Sequence, residues 1–334
     1  MAIDLPLIWA LLIAFAILAY VVLDGFDLGV GVLFPLVRDG TQRGTMMNTV
    51  APVWDGNETW LVLGGGGLFA AFPLAYAVLM PAFYAPLIAM LLGLVFRGVA
   101  FEFRFRSQRR QHLWDLAFAG GSLLAAFSQG VMLGAFVQGV TVAERAYGGG
   151  WYDWVTPFSL FTGASLVAGY ALLGAGWLIL KTEGALQQRF YAVALPLAAL
   201  VVAMIGGVSL WTPFLDAAIA ERWFTWPNLL IFSPVPLLVA ALALLLILGV
   251  TRRRDSWPFL SGLGLFILSY IGLGISLFPY IVPRAVTIWE AAAPAQSLSF
   301  MLVGAAVLLP IILGYTGYVY WVFRGKIDPD AGYH

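Results

Sequence analysis

Long apolar stretches recur along the whole chain, and they constrain its fold more than any other feature. A helix needs about 20 predominantly apolar residues to cross the hydrocarbon core of a bilayer. Of the 334 residues, 62% are hydrophobic and 10% are charged, and the polar connections are too short to form a soluble domain. The sequence therefore predicts an all-α polytopic membrane protein that forms one integral membrane domain over residues 1–334.

The apolar pattern predicts nine transmembrane helices. An odd number of spans places the two termini on opposite sides of the membrane. The second and third spans are expected to meet in a tight turn at Phe72–Pro73. The predicted spans cover residues 7–34, 50–70, 74–97, 114–140, 157–181, 190–212, 228–250, 257–280 and 297–323.

The Lys and Arg residues are divided unequally between the two sides of the predicted membrane domain. Fourteen of the 17 lie in the C-terminal segment or in the loops that follow spans 1, 3, 5 and 7. The other side holds only Arg145, Arg222 and Arg284. Because cytoplasmic loops carry an excess of positive residues, we expect a cytoplasmic C-terminus and an N-terminus outside.

Two carboxyl groups interrupt the first apolar stretch, in VVLDGFDLGVG. Asp24 and Asp27 are three residues apart and share a helix face. Asp24 lies about 26 Å along the inward-running span, near its cytoplasmic boundary. The second span opens with NTVAPVWDGNETWL, which places Asp55 and Glu58 at a similar depth. Since an ionised group near hydrocarbon is costly unless it is paired or hydrated, these acids predict a shared polar site.

Two further charged residues lie near the same predicted depth. Arg97, in LVFRGVAFEFRFR, ends the third span and is the expected counter-ion. Asp115 begins the fourth span and is expected either to join this network or to cap its helix. A hydrated chain of carboxyl groups favours proton uptake from the cytoplasm. The residues alone also fit a cation site, or a structural role in which acids complement helix dipoles.

Several kinds of site are disfavoured by what the sequence lacks. Without cysteine, the chain has no disulfides, thiolate metal sites or thiol catalysis. Its two histidines, His112 and His334, lie outside the predicted spans, and its eight methionines show no paired spacing. Because membrane haems are held by His or Met side chains on helices, we expect no haem ligands and no redox metal here. The net charge of zero does not favour a nucleic acid partner.

Glycines are frequent in the predicted spans. Gly25 with Gly29, and Gly130 with Gly134, have the small-xxx-small spacing that lets membrane helices approach closely. The stretch LVLGGGGLFAAF carries no Lys or Ser/Thr of a phosphate-binding loop. We therefore interpret the glycines as packing positions.

Taken together, the acidic motifs resemble those of a known family. The segments LDGFDLGVGVL, NTVAPVWDGNETWLVLGGGGLFAAFPLAYA, FRGVAFEFR and WDLAFAGGS are similar to the second subunit of cytochrome bd-type quinol oxidases. LFPYIVP and TIWEAAAPAQSL fit the connection between its eighth and ninth spans. The resemblance covers about residues 5–325, and the short chain is closer in length to the cyanide-insensitive type.

The resemblance implies a membrane complex that oxidises quinol and reduces dioxygen to water with cytoplasmic protons. It implies a heterodimer in the bacterial inner membrane with a haem-bearing subunit 1, and often a small single-span accessory subunit. Haem b and haem d, or b-type haems alone, are then expected in the partner subunit. Some members also hold a structural quinone. The N-terminus would be periplasmic and the C-terminus cytoplasmic.

The same resemblance implies an architecture and roles for particular residues. Nine helices form two four-helix bundles, about 5–140 and 157–280, plus a peripheral last helix near 297–323. We expect Asp24 and Asp55 to relay protons near the subunit interface. Glu58 replaces an amide-type residue of some members. The remaining expected site residues either tune the relay or orient the site: Asp27, Arg97, Trp54, Asn57 and Asp115.

Two other functions fit the same residues. A purely structural scaffold subunit would stabilise the haem-bearing partner without handling protons. A proton- or cation-coupled transporter would account for the membrane acids and for the many prolines of the spans, but it leaves the motif resemblance as coincidence.

Overall fold

The computed structural model describes residues 4–107 and 109–327, and this part of the chain is almost entirely helical. Two 3-10 turns, Phe34–Leu36 and Thr212–Phe214, extend α1 and α8. Two antiparallel hairpins pair β1 (Val142–Ala143) with β2 (Ala146–Tyr147), and β3 (Tyr280–Val282) with β4 (Val286–Thr287). The helices are α1 (Leu5–Leu33), α2 (Gly40–Val50), α3 (Trp54–Ala71), α4 (Pro73–Ala82), α5 (Tyr84–Arg104), α6 (Gln111–Gln138), α7 (Pro157–Lys181), α8 (Gly184–Trp211), α9 (Ala217–Phe224), α10 (Asn228–Phe232), α11 (Pro234–Thr251), α12 (Trp257–Leu277), α13 (Ile288–Ala291) and α14 (Ala295–Val322).

Eight helical segments of the described chain are long and apolar enough to cross a membrane. They contain α1, α5, α6, α7, α8, α10 with α11, α12, and α14. The predicted second span corresponds to α3, which is helical over 18 residues. Helix α3 is less apolar than these eight segments, because Asp55, Glu58 and the run of four glycines at 64–67 lower its mean hydropathy.

Prolines break two of the predicted spans. The third span is predicted at 74–97, but the chain forms the short helix α4 and then the longer α5, with the break at Phe83. Pro81 and Pro86 flank this break, and neither has an amide hydrogen to continue a helical ladder. In the seventh span, the helix is interrupted at Ser233, directly before Pro234. The predicted boundaries of the third span were therefore wrong. Those of the seventh span, 228–250, agree with the apolar helical segment Asn228–Thr251, which contains this internal break.

Helix α1 packs against α3, α6 and α7, and glycines allow the closest of these approaches. A Cβ atom on Gly29 would lie 1.8 Å from the backbone oxygen of Tyr170 in α7, and one on Gly25 would lie 2.6 Å from the Tyr170 ring. Gly130 and Gly134 of α6 make a similar approach to α7. The close packing predicted for these glycines is confirmed.

The loops that carry most of the Lys and Arg residues lie together at one end of the molecule. We call this the basic end; it comprises the loops after α1, α5, α7 and α11 and the segment after α14. Arg189, at the start of α8, donates to the backbone oxygen of Leu36 after α1 at 3.0 Å. Arg104, at the end of α5, donates to the backbone oxygen of Gly40 at 3.3 Å.

Two lysines bind the segment after α14 to the loops that follow α7 and α11. Lys326 Nζ donates to the Thr182 backbone oxygen at 3.0 Å and to Asp255 at 2.7 Å, while Lys181 Nζ donates to the backbone oxygen of Gly325 at 3.2 Å. Burial acts to raise the pKa of Asp255, but hydrogen bonds from Lys326, Tyr191 and Gln187 outweigh it and lower that pKa. The Asp255 carboxylate therefore stays ionised near neutral pH.

Replacing Lys326 with Met is expected to loosen this segment without unfolding the protein. The ion pair is partly exposed, so its loss is worth up to about 1 kcal/mol, which corresponds to about fivefold faster local opening. Hydrogen exchange at the amide of Ile327, which donates to the Lys181 backbone oxygen at 2.8 Å, measures this opening. Arg324→Met is the matched control, since Arg324 donates to the Trp321 backbone oxygen and lies over the Trp321 ring of α14. Equal exchange in both variants would contradict the assigned role of Lys326.

Candidate functional site

Four charged side chains from three helices meet where α1 approaches the basic end. We call Asp24, Asp27, Glu58 and Arg97 the acid cluster. Arg97 Nη2 donates to Asp24 Oδ1 at 2.7 Å and to Glu58 Oε1 at 2.5 Å. The Asp24 and Arg97 side chains are fully buried, whereas the Glu58 side chain is 25% exposed. Nη2 of Arg97 therefore joins the fully buried Asp24 carboxylate to the Glu58 carboxylate, which is partly exposed.

The helices and their aromatic residues hold Arg97 in place. Asp24 and Asp27 lie one turn apart near the C-terminal part of α1, and Glu58 lies in the second turn of α3. The Trp54 ring stacks on Phe101, with centroids 4.7 Å apart and planes inclined by 9°. The guanidinium of Arg97 lies 6.0 Å from the Trp54 ring centroid, within the range of a cation–π contact.

Asn57 connects the acid cluster to the last helix. Its Nδ2 donates to Asp27 Oδ2 at 2.7 Å and to the Leu23 backbone oxygen at 3.2 Å. Its Oδ1 accepts a hydrogen bond from the Tyr320 hydroxyl of α14 at 3.0 Å. The amide therefore holds Asp27 and docks α14 at the same time.

Several polar atoms of the acid cluster remain without a hydrogen-bond partner among the described residues. They are Asp24 Oδ2, Asp27 Oδ1, and the Nε and Nη1 atoms of Arg97. Buried polar atoms are normally satisfied by protein groups or by ordered water. Donors and acceptors that occur together in one buried place form a suitable environment for water molecules with two to four polar partners.

The charges of the acid cluster do not balance when every group is ionised. Three carboxylates and one guanidinium carry a net charge of −2. Such a charge is expensive to hold in a buried place within a membrane. The arrangement can therefore accept and release protons, and Arg97 offsets part of the charge in every state.

The structure places two of the predicted site residues outside the acid cluster. Asp55 is exposed on the first turn of α3. Asp115 binds Arg43 at 2.7 Å and Arg104 at 2.5 Å in a separate ion cluster. Helix α6 begins at Gln111, so Asp115 neither joins Arg97 nor caps its helix. Both expectations for Asp115 were wrong because α5 continues beyond Arg97 and brings a second arginine to it.

Sequence reasoning missed the tyrosines around the acid cluster. Tyr20 precedes Asp24 by one helical turn, a spacing that gives one signal for its position. Gln129 is a polar residue in an apolar span, which is a second signal. No comparable signal marks Tyr170 or Tyr320, because only the packing of α7 and α14 against α1 and α3 brings them close.

Histidine, a common haem ligand, occurs only twice in this sequence. His112 is exposed in the first turn of α6, and His334 lies outside the described residues. Within 4–107 and 109–327, no group of three or more His, Cys, Asp or Glu side chains is arranged to hold a metal ion.

Comparisons with known proteins agree on one family. The family model for cytochrome bd terminal oxidase subunit II matches residues 5–323. Cytochrome bd-I ubiquinol oxidase subunit 2 of Escherichia coli K12 is 31% identical over 98% of this chain and 96% of that protein. Cytochrome bd ubiquinol oxidase subunit 2 of Bacillus subtilis 168 is 30% identical over 96% of each.

The fold of this chain also matches that of a solved bd oxidase chain. A chain of the bd oxidase of Geobacillus thermodenitrificans superposes with a TM-score of 0.73, at 18% identity, over 97% of this chain and all of that one. At that identity, the superposition establishes a common fold. Together with the match along residues 5–323, it shows that this chain belongs to the cytochrome bd terminal oxidase subunit II family.

Proposed function

We propose that this chain is the haem-free second subunit of a bd-type terminal oxidase, which couples quinol oxidation to the reduction of dioxygen to water. Family membership supports the complex, and the histidine of the described residues, His112, is exposed in the first turn of α6. The haems, either b with d or b-type alone, belong to subunit 1 in this proposal. A small single-span subunit completes the complex, and no residues of this chain are assigned to a structural quinone.

The proposed setting is the bacterial inner membrane, with the basic end in the cytoplasm. The N-terminus is then periplasmic and the C-terminus cytoplasmic, in accord with the excess of positive charge. With α3 as the ninth crossing, the helices form two four-helix bundles and a peripheral α14. An exposed face of α3 that carries Asp55, Val62 and Phe69 is available to subunit 1.

The acid cluster is the proposed route of proton uptake from the cytoplasm. The observation that carries this proposal is the shared guanidinium of Arg97, which joins the partly exposed Glu58 to the fully buried Asp24. Protons enter past Asp55 to Glu58 and pass to Asp24, with water at the unpartnered polar atoms. Asp27, held by Asn57, tunes the relay from the next turn of α1.

Replacing Asp24 with Asn tests the proposed route. The amide oxygen can still accept a hydrogen bond from Arg97, but the side chain can no longer bind and release a proton. Positioned proton-transfer groups contribute roughly 10²–10⁴-fold to rates, so we expect oxygen consumption to fall by about tenfold or more. The measurement is quinol-driven oxygen uptake by the purified complex, with its reduced-minus-oxidised haem spectrum recorded alongside.

Glu102→Gln is the matched control, because Glu102 is an exposed acid on α5, the helix that carries Arg97. It is expected to leave both oxygen uptake and haem content unchanged. If Asp24→Asn instead removes the haem bands and separates the subunits, Asp24 has a scaffold role and the proton route is wrong. Unchanged oxygen uptake with Asp24→Asn would likewise exclude the route.

A further inference from the structure

A second group of buried polar side chains extends from the acid cluster into the interior of the membrane domain. Gln129 Nε2 of α6 donates to the Tyr20 hydroxyl oxygen at 2.7 Å. The Tyr170 hydroxyl of α7 donates to Gln129 Oε1 at 2.9 Å. Tyr20 and Tyr170 are buried. We call Tyr20, Gln129 and Tyr170 the tyrosine chain.

The surrounding helices hold the tyrosine chain firmly. The Tyr170 ring stacks on Phe266 of α12, with centroids 5.6 Å apart and planes inclined by 17°. On its other side the ring lies against Gly25, where a Cβ atom would come within 2.6 Å of it. Since Gly25 directly follows Asp24, the ring is fixed beside the acid cluster.

The hydrogen bonds of the tyrosine chain all run in one direction. Tyr170 donates to Gln129, and Gln129 donates to Tyr20. The Tyr20 oxygen is therefore an acceptor on the side of Gln129, which leaves its own O–H free to donate elsewhere. Asp24 lies one turn further along α1, on the same face. Its Oδ2 atom has no other hydrogen-bond partner among the described residues, so it is an acceptor for this O–H.

A proton-conducting role does not suit this arrangement. An amide is a poor proton carrier, and the amide of Gln129 interrupts the path between the two hydroxyls. A string of aligned donors instead fixes an O–H dipole, and such a dipole stabilises a nearby negative charge. Donation to a carboxylate favours its charged form.

We propose that Tyr20, held by Gln129 and Tyr170, is a positioning residue that donates to Asp24 and lowers the proton affinity of the acid cluster. This inference rests on the proposed function of Asp24 in proton uptake. It adds three residues that no acidic motif contains. The charged and titratable groups around Asp24 are Arg97 of α5, Glu58 of α3, Asp27 and Tyr20 of α1, Tyr170 of α7 and Tyr320 of α14.

Tyr20→Phe in the complete oxidase complex tests the inference. The midpoint for protonation of Asp24 is followed by the infrared carboxyl C=O band, assigned by its disappearance in Asp24→Asn. Loss of one hydrogen bond to a charged group is expected to move this midpoint to higher pH by about one unit. The pH profile of oxygen uptake should move in the same direction. Gln129→Leu should give a smaller shift of the same sign, and it also serves as the test if Tyr20→Phe does not assemble.

Tyr270→Phe is the matched control, because Tyr270 of α12 is a partly buried tyrosine whose hydroxyl donates to the Ala14 backbone oxygen of α1 at 2.9 Å. Its replacement should leave the midpoint unchanged. If Tyr20→Phe and Gln129→Leu behave like this control, or shift the midpoint to lower pH, the inference is overturned. The proposed function then still stands as long as Asp24→Asn lowers oxygen uptake. The proposed function fails separately if Asp24→Asn has normal uptake.

Discussion

Replacing Arg97 with Met is expected to abolish the assembled complex. The change leaves Asp24 fully buried and Glu58 largely buried, with their shared hydrogen-bond donor removed. Breaking a buried ion pair by removing one partner costs about 3–5 kcal/mol, a large part of the stability of an ordinary folded domain. The measurement is the yield of both subunits and of haem absorbance after solubilisation, followed by heat inactivation of any complex recovered.

A second set of variants separates charge from packing at this site. Arg106→Met removes an exposed arginine that follows the end of α5 and approaches Glu102 of that helix at 3.6 Å, and it should leave the complex intact. Combining Arg97→Met with Asp24→Asn and Glu58→Gln removes both unpaired carboxylates and should recover part of the assembled complex, though not its oxygen uptake. If Arg97→Met alone assembles normally, the acid cluster is not held together by this charge.

Replacing Gly29 with Ala is expected to separate α1 from α7. The new Cβ would lie 1.8 Å from the Tyr170 backbone oxygen and 2.9 Å from the Gly174 backbone nitrogen. Backbone atoms of a packed helix cannot turn aside as a flexible side chain can. Overpacking of this kind typically costs about 1–3 kcal/mol, and we expect the upper end. Thermal stability of the purified complex measures the loss.

Gly206→Ala is the matched control for this prediction. A Cβ atom on Gly206, in α8, meets no atom within 4 Å, and alanine favours a helix over glycine. Its thermal stability should be unchanged or slightly higher. A Gly29→Ala complex as stable as this control would contradict the close approach of α1 and α7.

Much of the site was accessible from the sequence because charges inside apolar spans are conspicuous. Asp24, Asp27 and Glu58 stand out in their segments, and the position of Arg97 at the end of a span indicated a counter-ion. Asp55, like Glu58, is an acid near the start of an apolar segment. In the structure, however, the Asp55 side chain is exposed while that of Glu58 contacts Arg97. Residues three apart on a helix are separated by about 60° of rotation, and only the packing of α3 decides which one turns inward.

The limits of the span prediction have a similar cause. Hydropathy identifies a long apolar stretch but does not detect a break within it, so it predicts one helix where the chain forms α4 and α5. It also gives little weight to a helix such as α3, whose polar first turn and glycines lower its mean hydropathy.

By itself, the sequence determined that this is a helical membrane protein, which loops carry the positive charge, and which acids and glycines occupy its first span. These properties follow from local composition and from the cost of burying charge in hydrocarbon. Only the tertiary structure decided that Asp115 belongs to a separate ion cluster and that Tyr20, Gln129 and Tyr170 form a directed chain beside Asp24. Those contacts join helices distant in sequence, and they depend on which face each helix turns towards its neighbours.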